Sequence, residues 1–301
     1  MSAAPVILLT GADGQVGWEL RRALAPLGRV AAVRRADADL ADEGALRALV
    51  REVRPAAVVN AAAYTAVDRA ETERALAFAV NGAAPGVLAE EAARLGVPIV
   101  HYSTDYVFDG GKGAPYTEDD PVSPLGAYGE SKLAGDRAVM ASGAPHLILR
   151  TSWVYAARGR NFLRTMLRLA HEREELRVVA DQRGVPTPAR LIAEVTAQLL
   201  GRGATGAGFE IPASRWGVHN LAARGETTWH EFAETIVALD PRREAQRCRA
   251  VTAITTAEFP TPARRPACSV LDPSRLERAF ALRMPEWRDG LALVMGELGP
   301  A

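Results

Sequence analysis

Apolar runs of strand length alternate with helical spacings through the first half of this chain. Val6-Ile7-Leu8-Leu9 is continuously apolar, the pattern of a strand buried on both faces of a parallel sheet. It leads into Gly11-Ala12-Asp13-Gly14-Gln15-Val16-Gly17, and Trp18 to Leu27 then carries apolar residues at helical spacing. Val30 to Val33 predicts a second strand, 42–53 a second helix, and Ala56 to Asn60 a third strand that runs into Ala61-Ala62-Ala63. Residues 75–95 keep the helical period with Asn81 inside, where an amide is mildly unfavourable unless it bonds the backbone. Val97 to Tyr102 makes a fourth strand, followed by Ser103-Thr104-Asp105. Residues 108–126 are rich in Gly, Pro and Asp and predict a long loop. A helix carrying Tyr128 and Lys132 then runs to about Ser142, and His146 to Arg150 makes a fifth strand.

Such alternation defines an α/β chain with a doubly wound parallel, Rossmann-type sheet over residues 1–151. Beyond that point the pattern changes. Helices are predicted over 161–173, 188–200, 228–239 and 284–298, with Thr227 or Thr228 capping the third, and a strand over 216–221. Pro and Gly are dense between them, as in Phe259-Pro-Thr-Pro-Ala-Arg-Arg-Pro266. Residues 152–301 are therefore expected to form most of a smaller, interleaved substrate-binding domain, with some segments returning to the first.

Composition narrows the class. Lys plus Arg and Asp plus Glu each number 36, so the chain has no net charge to hold nucleic acid or an anionic membrane. No apolar run is long enough to span a bilayer, and no secretory pattern opens the chain, which predicts a cytoplasmic protein. Cys248 and Cys268 have no His or Cys at metal-ligand spacing and are read as free thiols.

The candidate chemistry lies in two places. Strand, glycine-rich turn and helix is the arrangement in which backbone N–H groups receive a pyrophosphate, here spaced G-x-x-G-x-x-G. Arg34 and Arg35 stand at the end of the second strand, where a guanidinium can pair with a 2′-phosphate, favouring NADPH over NADH. Asp37 or Asp39 offers a carboxylate to the ribose or adenine instead. Tyr128 and Lys132, four apart on a helix, share one face. A nearby ammonium lowers a phenol's pKa, which suits proton donation to a carbonyl, and Thr104 adds a hydroxyl for the carbonyl oxygen. Lys112 and Lys132 are the chain's two lysines among 36 basic residues. A compact ammonium that must sit beside a phenol and a ribose is not replaceable by a guanidinium.

The glycine turn, Ser103-Thr104-Asp105 and Tyr128-x-x-x-Lys132, in this order, resemble the extended short-chain dehydrogenase/reductase superfamily. The longer words are Asn60-Ala-Ala-Ala-Tyr-Thr-Ala-Val-Asp68, His101-Tyr-Ser-Thr-Asp-Tyr-Val-Phe108, Ser123-Pro-Leu125 before Ala127-Tyr-Gly129, Arg150-Thr-Ser-Trp-Val-Tyr155, Asn161-Phe162 and Thr227-Thr-Trp-His230. Together, from about residue 5 to 295, they resemble the dTDP-4-dehydrorhamnose reductases.

The resemblance implies hydride transfer from NADPH or NADH to the 4-keto group of dTDP-4-dehydro-L-rhamnose. Tyr128 would donate the proton, Lys132 would lower its pKa and bind the nicotinamide ribose, and Thr104 would hold the carbonyl oxygen. The implied cofactor set is Gly11, Asp13, Gly14, Gln15, Val16, Gly17, Arg34, Asp39, Leu40, Ala61, Ala62, Ala63, Tyr128 and Lys132. Val67, Tyr106 and Trp153 would line the sugar pocket beside Thr104, Asp105 and Tyr128, and Asn161, Gln182 and Arg264 would meet the nucleotide diphosphate, with Arg265 indistinguishable from Arg264. Some relatives form dimers through magnesium-binding glutamates. Gln15 and Arg190 stand at the corresponding places, so a monomer or a homodimer without a metal bridge is expected.

Other readings share the fold. A reductase of another nucleotide-linked 4-keto-6-deoxysugar fits the same residues. A sugar-nucleotide 4,6-dehydratase or epimerase shares the fold and the Tyr/Lys pair, but the resemblance implies that dehydratases of the superfamily carry a Glu where Tyr106 stands, so the acid-base pair for such chemistry is missing. A non-catalytic homologue of the methionine adenosyltransferase regulatory-subunit type would not need Thr104, Tyr128 and Lys132.

Overall fold

The computed structural model describes residues 4–206 and 208–299; residues 1–3, 207, 300 and 301, which include the start of the first expected segment and the end of the second, lie outside it. In chain order the strands are β1 (Val6–Thr10), β2 (Arg29–Val33), β3 (Ala57–Asn60), β4 (Ile99–Thr104), β5 (His146–Thr151), β6 (Val154–Tyr155), β7 (Glu175–Val179), β8 (Arg183–Gly184), β9 (Thr187–Pro188), β10 (Gly217–Asn220), β11 (Thr227–Thr228) and β12 (Ala250–Ile254). The helices are α1 (Gln15–Ala23), α2 (Glu43–Val53), α3 (Val67–Ala70), α4 (Arg74–Phe78), α5 (Ala84–Leu95), α6 (Ala127–Ala141), α7 (Phe162–Glu172), α8 (Ala189–Gly201), α9 (Trp229–Ala238), α10 (Ser274–Phe280) and α11 (Trp287–Glu297).

Six strands form one sheet in the order β10-β5-β4-β3-β1-β2, and every neighbouring pair is parallel. Side chains alternate across it, so Ile7 and Leu9 enter one core and Leu8 the other. The first core also takes Leu20 of α1, Leu24 just after it, and Ile192 and Leu199 of α8; the second takes Leu46 and Val50 of α2, Leu88 of α5 and Val139 of α6. Helices thus cover both faces, which is why the strands read as apolar runs. The chain leaves β1 for β2 and returns on the other side to β3. Ligands bind such sheets at this switch, outside the carboxyl ends of the strands.

The helical stretch predicted over 75–95 is α4 and α5 joined by a π-helical turn, Ala79–Ala83. That turn places Asn81, whose Oδ1 accepts from the Tyr64 N–H at 2.8 Å and whose amide donates to the Tyr64 carbonyl at 3.0 Å. The helix predicted to reach Leu27 ends at Ala23 and continues as a 3₁₀ turn, Ala25–Leu27, because Pro26 has no N–H for an α-helical bond. The closing helix starts at Trp287, three residues later than its apolar pattern suggests, after Pro285 and the N-cap Glu286.

A third core gathers Leu163 of α7, Phe232 of α9, Trp287 and Leu291 of α11, and Phe108 and Tyr116 of the long loop. The parallel pair β7 and β12 packs there and was not foreseen, since each strand is short and finds its partner some 75 residues away in sequence. The loop 108–126 is fastened to this half: the Tyr116 N–H donates to the Val270 carbonyl at 2.7 Å and Asn220 donates to the Tyr116 carbonyl at 2.8 Å. No helix among the described residues is long and apolar enough to cross a membrane.

Candidate active site

The glycine turn sits where β1 ends, against the residues that follow β3. Gly11 has φ +71°, and a Cβ there would meet the Ala62 nitrogen at 2.5 Å. A Cβ on Gly17 would meet the Gly11 carbonyl oxygen at 2.0 Å, so the first turn of α1 lies directly on the loop. Gly14 caps α1 with no side-chain acceptor, and no acidic residue stands in the first turn. The N–H groups there remain available to an anion at the positive end of the helix, so the turn fits a dinucleotide pyrophosphate. Val16 is half-buried beneath the turn and Asp13 is exposed above it. Asn161 caps α7 and donates through its amide to Gln15 Oε1 at 2.9 Å. The Arg158 guanidinium lies 3.3 Å from the centre of the Trp18 ring, so the segment before α7 closes on α1.

At the end of β2, Arg34 is held by Asp37 at 3.1 Å, while Arg35 is exposed. Asp39 accepts from the Ala41 N–H at 3.0 Å in a turn ahead of α2, and Leu40 is buried. Ala61, Ala62 and Ala63 follow β3, and the Ala61 N–H donates to the Thr10 carbonyl.

Thr104 ends β4 and Tyr128 lies in the first turn of α6, whose Ala127 N–H donates to Glu71 Oε1 at 2.9 Å. The Thr104 side chain lies beside the phenol, close enough to lower its pKa, while its hydroxyl donates to Asp105 Oδ1 at 3.0 Å. The phenol keeps some surface open, yet burial pushes its pKa up to about 12, against the Thr104 side chain that lowers it. Lys132 is buried, and its Nζ donates to the Tyr102 carbonyl oxygen at 2.6 Å. Burial pulls its pKa down to about 8, with Asp136 opposing. The expected lowering of the phenol by Lys132 is therefore corrected for the free protein: burial dominates Tyr128, and the ammonium is directed at a backbone carbonyl.

Asp105 is buried beside them, accepts from the Thr104 hydroxyl at 3.0 Å, and is pushed up to about 6 by burial against hydrogen bonds from Ser269 and Thr104. Tyr106 meets Tyr128 edge to face, with ring centres 5.6 Å apart. Arg265 bonds Asp68 through both terminal nitrogens at 3.1 Å and also reaches Tyr106. Val67 begins α3 beside Asp68. Of the two arginines that the chain alone left open, Arg265 joins this cluster, whereas Arg264 is exposed and makes no hydrogen bond or ion pair among the described residues.

Trp153 stands at φ +44° and stacks on Trp229, ring centres 3.6 Å apart and planes 9° from parallel. Gly184 lies under its indole, where a Cβ would come within 2.4 Å of the ring. Gln182 is buried and donates to the Thr256 hydroxyl at 3.0 Å. Asp68, Trp229 and Gly184 were not singled out in the sequence, because the contacts that place them span tens to nearly two hundred residues and leave no local pattern. Cys248 and Cys268 are free thiols, as their spacing predicts.

A doubly wound parallel sheet, a bare glycine cradle at its switch point and a Thr/Tyr/Lys group at the same edge define a Rossmann-type reductase of the extended short-chain dehydrogenase/reductase class. The model of the RmlD substrate binding domain matches residues 5–299. A dTDP-4-dehydrorhamnose reductase of Burkholderia thailandensis is 50% identical over 297 residues, covering 97% of this chain and 98% of that protein. The crystal structure of a dTDP-4-dehydrorhamnose reductase from Clostridium acetobutylicum superposes with a TM-score of 0.89 at 36% identity, covering 97% of this chain and 99% of that one. That of a dTDP-4-dehydrorhamnose reductase from Bacillus anthracis in complex with NADP gives 0.88 at 33% identity, covering 98% and 99%. This chain belongs to the dTDP-4-dehydrorhamnose reductase family.

Proposed function

We propose that this protein reduces the 4-keto group of dTDP-4-dehydro-L-rhamnose to the alcohol of dTDP-L-rhamnose. NADPH, or NADH in its place, supplies the hydride when bound. The observation that carries the reading is the side-by-side placement of Thr104, at the end of β4, and Tyr128, in the first turn of α6, at the sheet edge that also carries the glycine cradle. The substrate carbonyl oxygen is held at these two hydroxyls, and the phenolic proton passes to it as hydride reaches the carbon. A phenol whose pKa is about 12 keeps its proton until an oxyanion of higher basicity develops, which ties proton transfer to the reducing step. Lys132 turns its remaining N–H donors toward the nicotinamide ribose and adds positive charge near the phenolate formed.

Residues 1–151 hold the cofactor, and most of 152–301 covers the sugar nucleotide. Gly11, Asp13, Gly14, Gln15, Val16, Gly17, Ala61, Ala62 and Ala63 take the dinucleotide, with Arg34, Asp39 and Leu40 at the adenosine end. Val67, Asp105, Tyr106 and Trp153 shape the sugar pocket; the indole face suits the 6-methyl group. Asn161, Gln182 and the 264–265 arginine pair serve the diphosphate, Asn161 through its contact with the glycine turn. The protein works in the cytoplasm as a monomer or a dimer without a metal bridge, since Arg190 is paired with Glu297 at 2.7 Å and Glu19 at 3.5 Å.

The test is the loss of NADPH absorbance when purified protein meets dTDP-4-dehydro-L-rhamnose, generated in place by the preceding dehydratase and epimerase. Oxidation matched by dTDP-rhamnose in equal amount supports the assignment. NADPH binding without oxidation rejects it.

A further inference from the structure

Behind Lys132 lies a chain of buried polar groups that the reaction as described does not use. The Thr10 hydroxyl donates to Asn60 Oδ1 at 2.7 Å, and the Ala62 N–H reaches the same oxygen at 3.3 Å. The Asn60 amide is thereby turned to donate to His101 Nδ1 at 3.1 Å, so the ring proton of His101 sits on Nε2. That nitrogen faces Lys132 Nζ at 3.5 Å and Asp136 Oδ1 at 3.7 Å. Asp136 lies one helical turn after Lys132, is fully buried, and accepts from Ser103 Oγ at 2.7 Å through its other oxygen. Arg150 approaches that same oxygen at 3.8 Å.

The charges around the ammonium come to a short set. β4 contributes His101, which burial keeps neutral, and β5 contributes Arg150, itself a cation. α6 contributes Tyr128 and Asp136, and the turn after β4 contributes Asp105 and Tyr106, which act on Tyr128. The helical stretch across from α6 presents the neutral Asn81, bonded to Ser131. Asp136 is thus the carboxylate set between two buried cations, and it is the group that opposes the effect of burial on Lys132.

We propose that Asp136 is a positioning residue of the reductase: held by Ser103 and facing His101, it supplies the buried counter-charge that keeps Lys132 an ammonium behind Tyr128. Asp136 touches neither cofactor nor substrate and acts through Lys132. The role rests on the reductase reading for its consequence in turnover, but the charge relationship itself is independent of the substrate. Replacing the carboxylate with an amide leaves Lys132 and Arg150 buried with their shared anion gone, and the lysine then loses its proton at lower pH.

The chain has two lysines, so protein labelled with ¹³C at lysine Cε gives one resonance for Lys132 and one for the solvent-accessible Lys112. Titration of wild type and Asp136→Asn, both with NADPH bound, is expected to show the Lys132 midpoint about one pH unit or more lower in the variant, with Lys112 unmoved. The alkaline limb of kcat against pH should shift by the same amount, and Asp136→Glu should restore part of it. An unchanged Lys132 midpoint in Asp136→Asn overturns the proposal whatever the substrate proves to be. If Asp136→Asn does not fold, Ser103→Ala, which removes the bond that fixes the carboxylate, must shift Lys132 in the same direction; no shift overturns the proposal equally.

Discussion

Lys132 Nζ donates to the carbonyl oxygen of Tyr102 at 2.6 Å, so the ammonium is held by the strand and not by the Tyr128 phenol one turn before it on the same helix. The slot that holds the ammonium is closed by His101, Asp136 and the end of β4. A guanidinium is wider and planar and cannot enter it without moving the strand. Lys132→Arg therefore keeps the charge and is expected to lose at least about 10²-fold in kcat. Turnover within twofold of wild type would show that shape at this position is immaterial.

The phenol of Tyr128 is the proton donor in the proposed reaction. Tyr128→Phe keeps the ring packed edge to face on Tyr106 and removes the proton. NADPH affinity should be unchanged by fluorescence titration, while the reductase rate falls by roughly 10²- to 10⁴-fold.

Asp105 gives a pH dependence whose sign is fixed by its burial. Its folded pKa, about 6, lies above the ordinary 3.8. Below about pH 3 the folded and unfolded chains both hold the proton; as pH rises through 4 toward 6 the unfolded chain releases it first, so the native state loses stability. Across that window the loss approaches about 3 kcal/mol. Asp105→Asn has no such term, so denaturant unfolding should find it more stable than wild type at pH 7.5, with the gap closing near pH 4. A gap that is equal at both values would refute the raised pKa.

Gly184 carries the Trp153 indole on its bare backbone. Gly184→Ala places a methyl inside the ring's contact distance and must tilt Trp153 off Trp229. The expected result is a KM for the sugar nucleotide raised by about tenfold, with NADPH binding intact, as a pocket wall moves without disturbing the cradle. Quenching of tryptophan fluorescence by NADPH and steady-state kinetics separate the two.

Arg34 and Arg35 stand exposed at the end of β2, with Arg34 paired to Asp37. Converting both to Ala should weaken NADPH more than NADH, lowering the ratio of their kcat/KM values by about tenfold, because the lost guanidiniums answer the 2′-phosphate that NADH lacks. An unchanged ratio would place cofactor choice elsewhere.

The chain by itself determined the sheet, the glycine cradle and the Tyr128/Lys132 face, because each is written in short-range patterns: apolar runs, G-x-x-G-x-x-G, and a spacing of four on a helix. It also marked Asn81 as an amide in need of a backbone partner, which Tyr64 supplies across the fold. Only the tertiary structure decided what surrounds those groups. Asp68 with Arg265, Trp153 with Trp229 and Gly184, and Asp136 with His101 and Arg150 meet across 14 to 197 residues of chain. The state of the Tyr128 and Lys132 pair was settled there too. Spacing alone put the ammonium beside the phenol, but burial and the carbonyl of Tyr102 set where each proton is held, and burial is a property of the packed molecule.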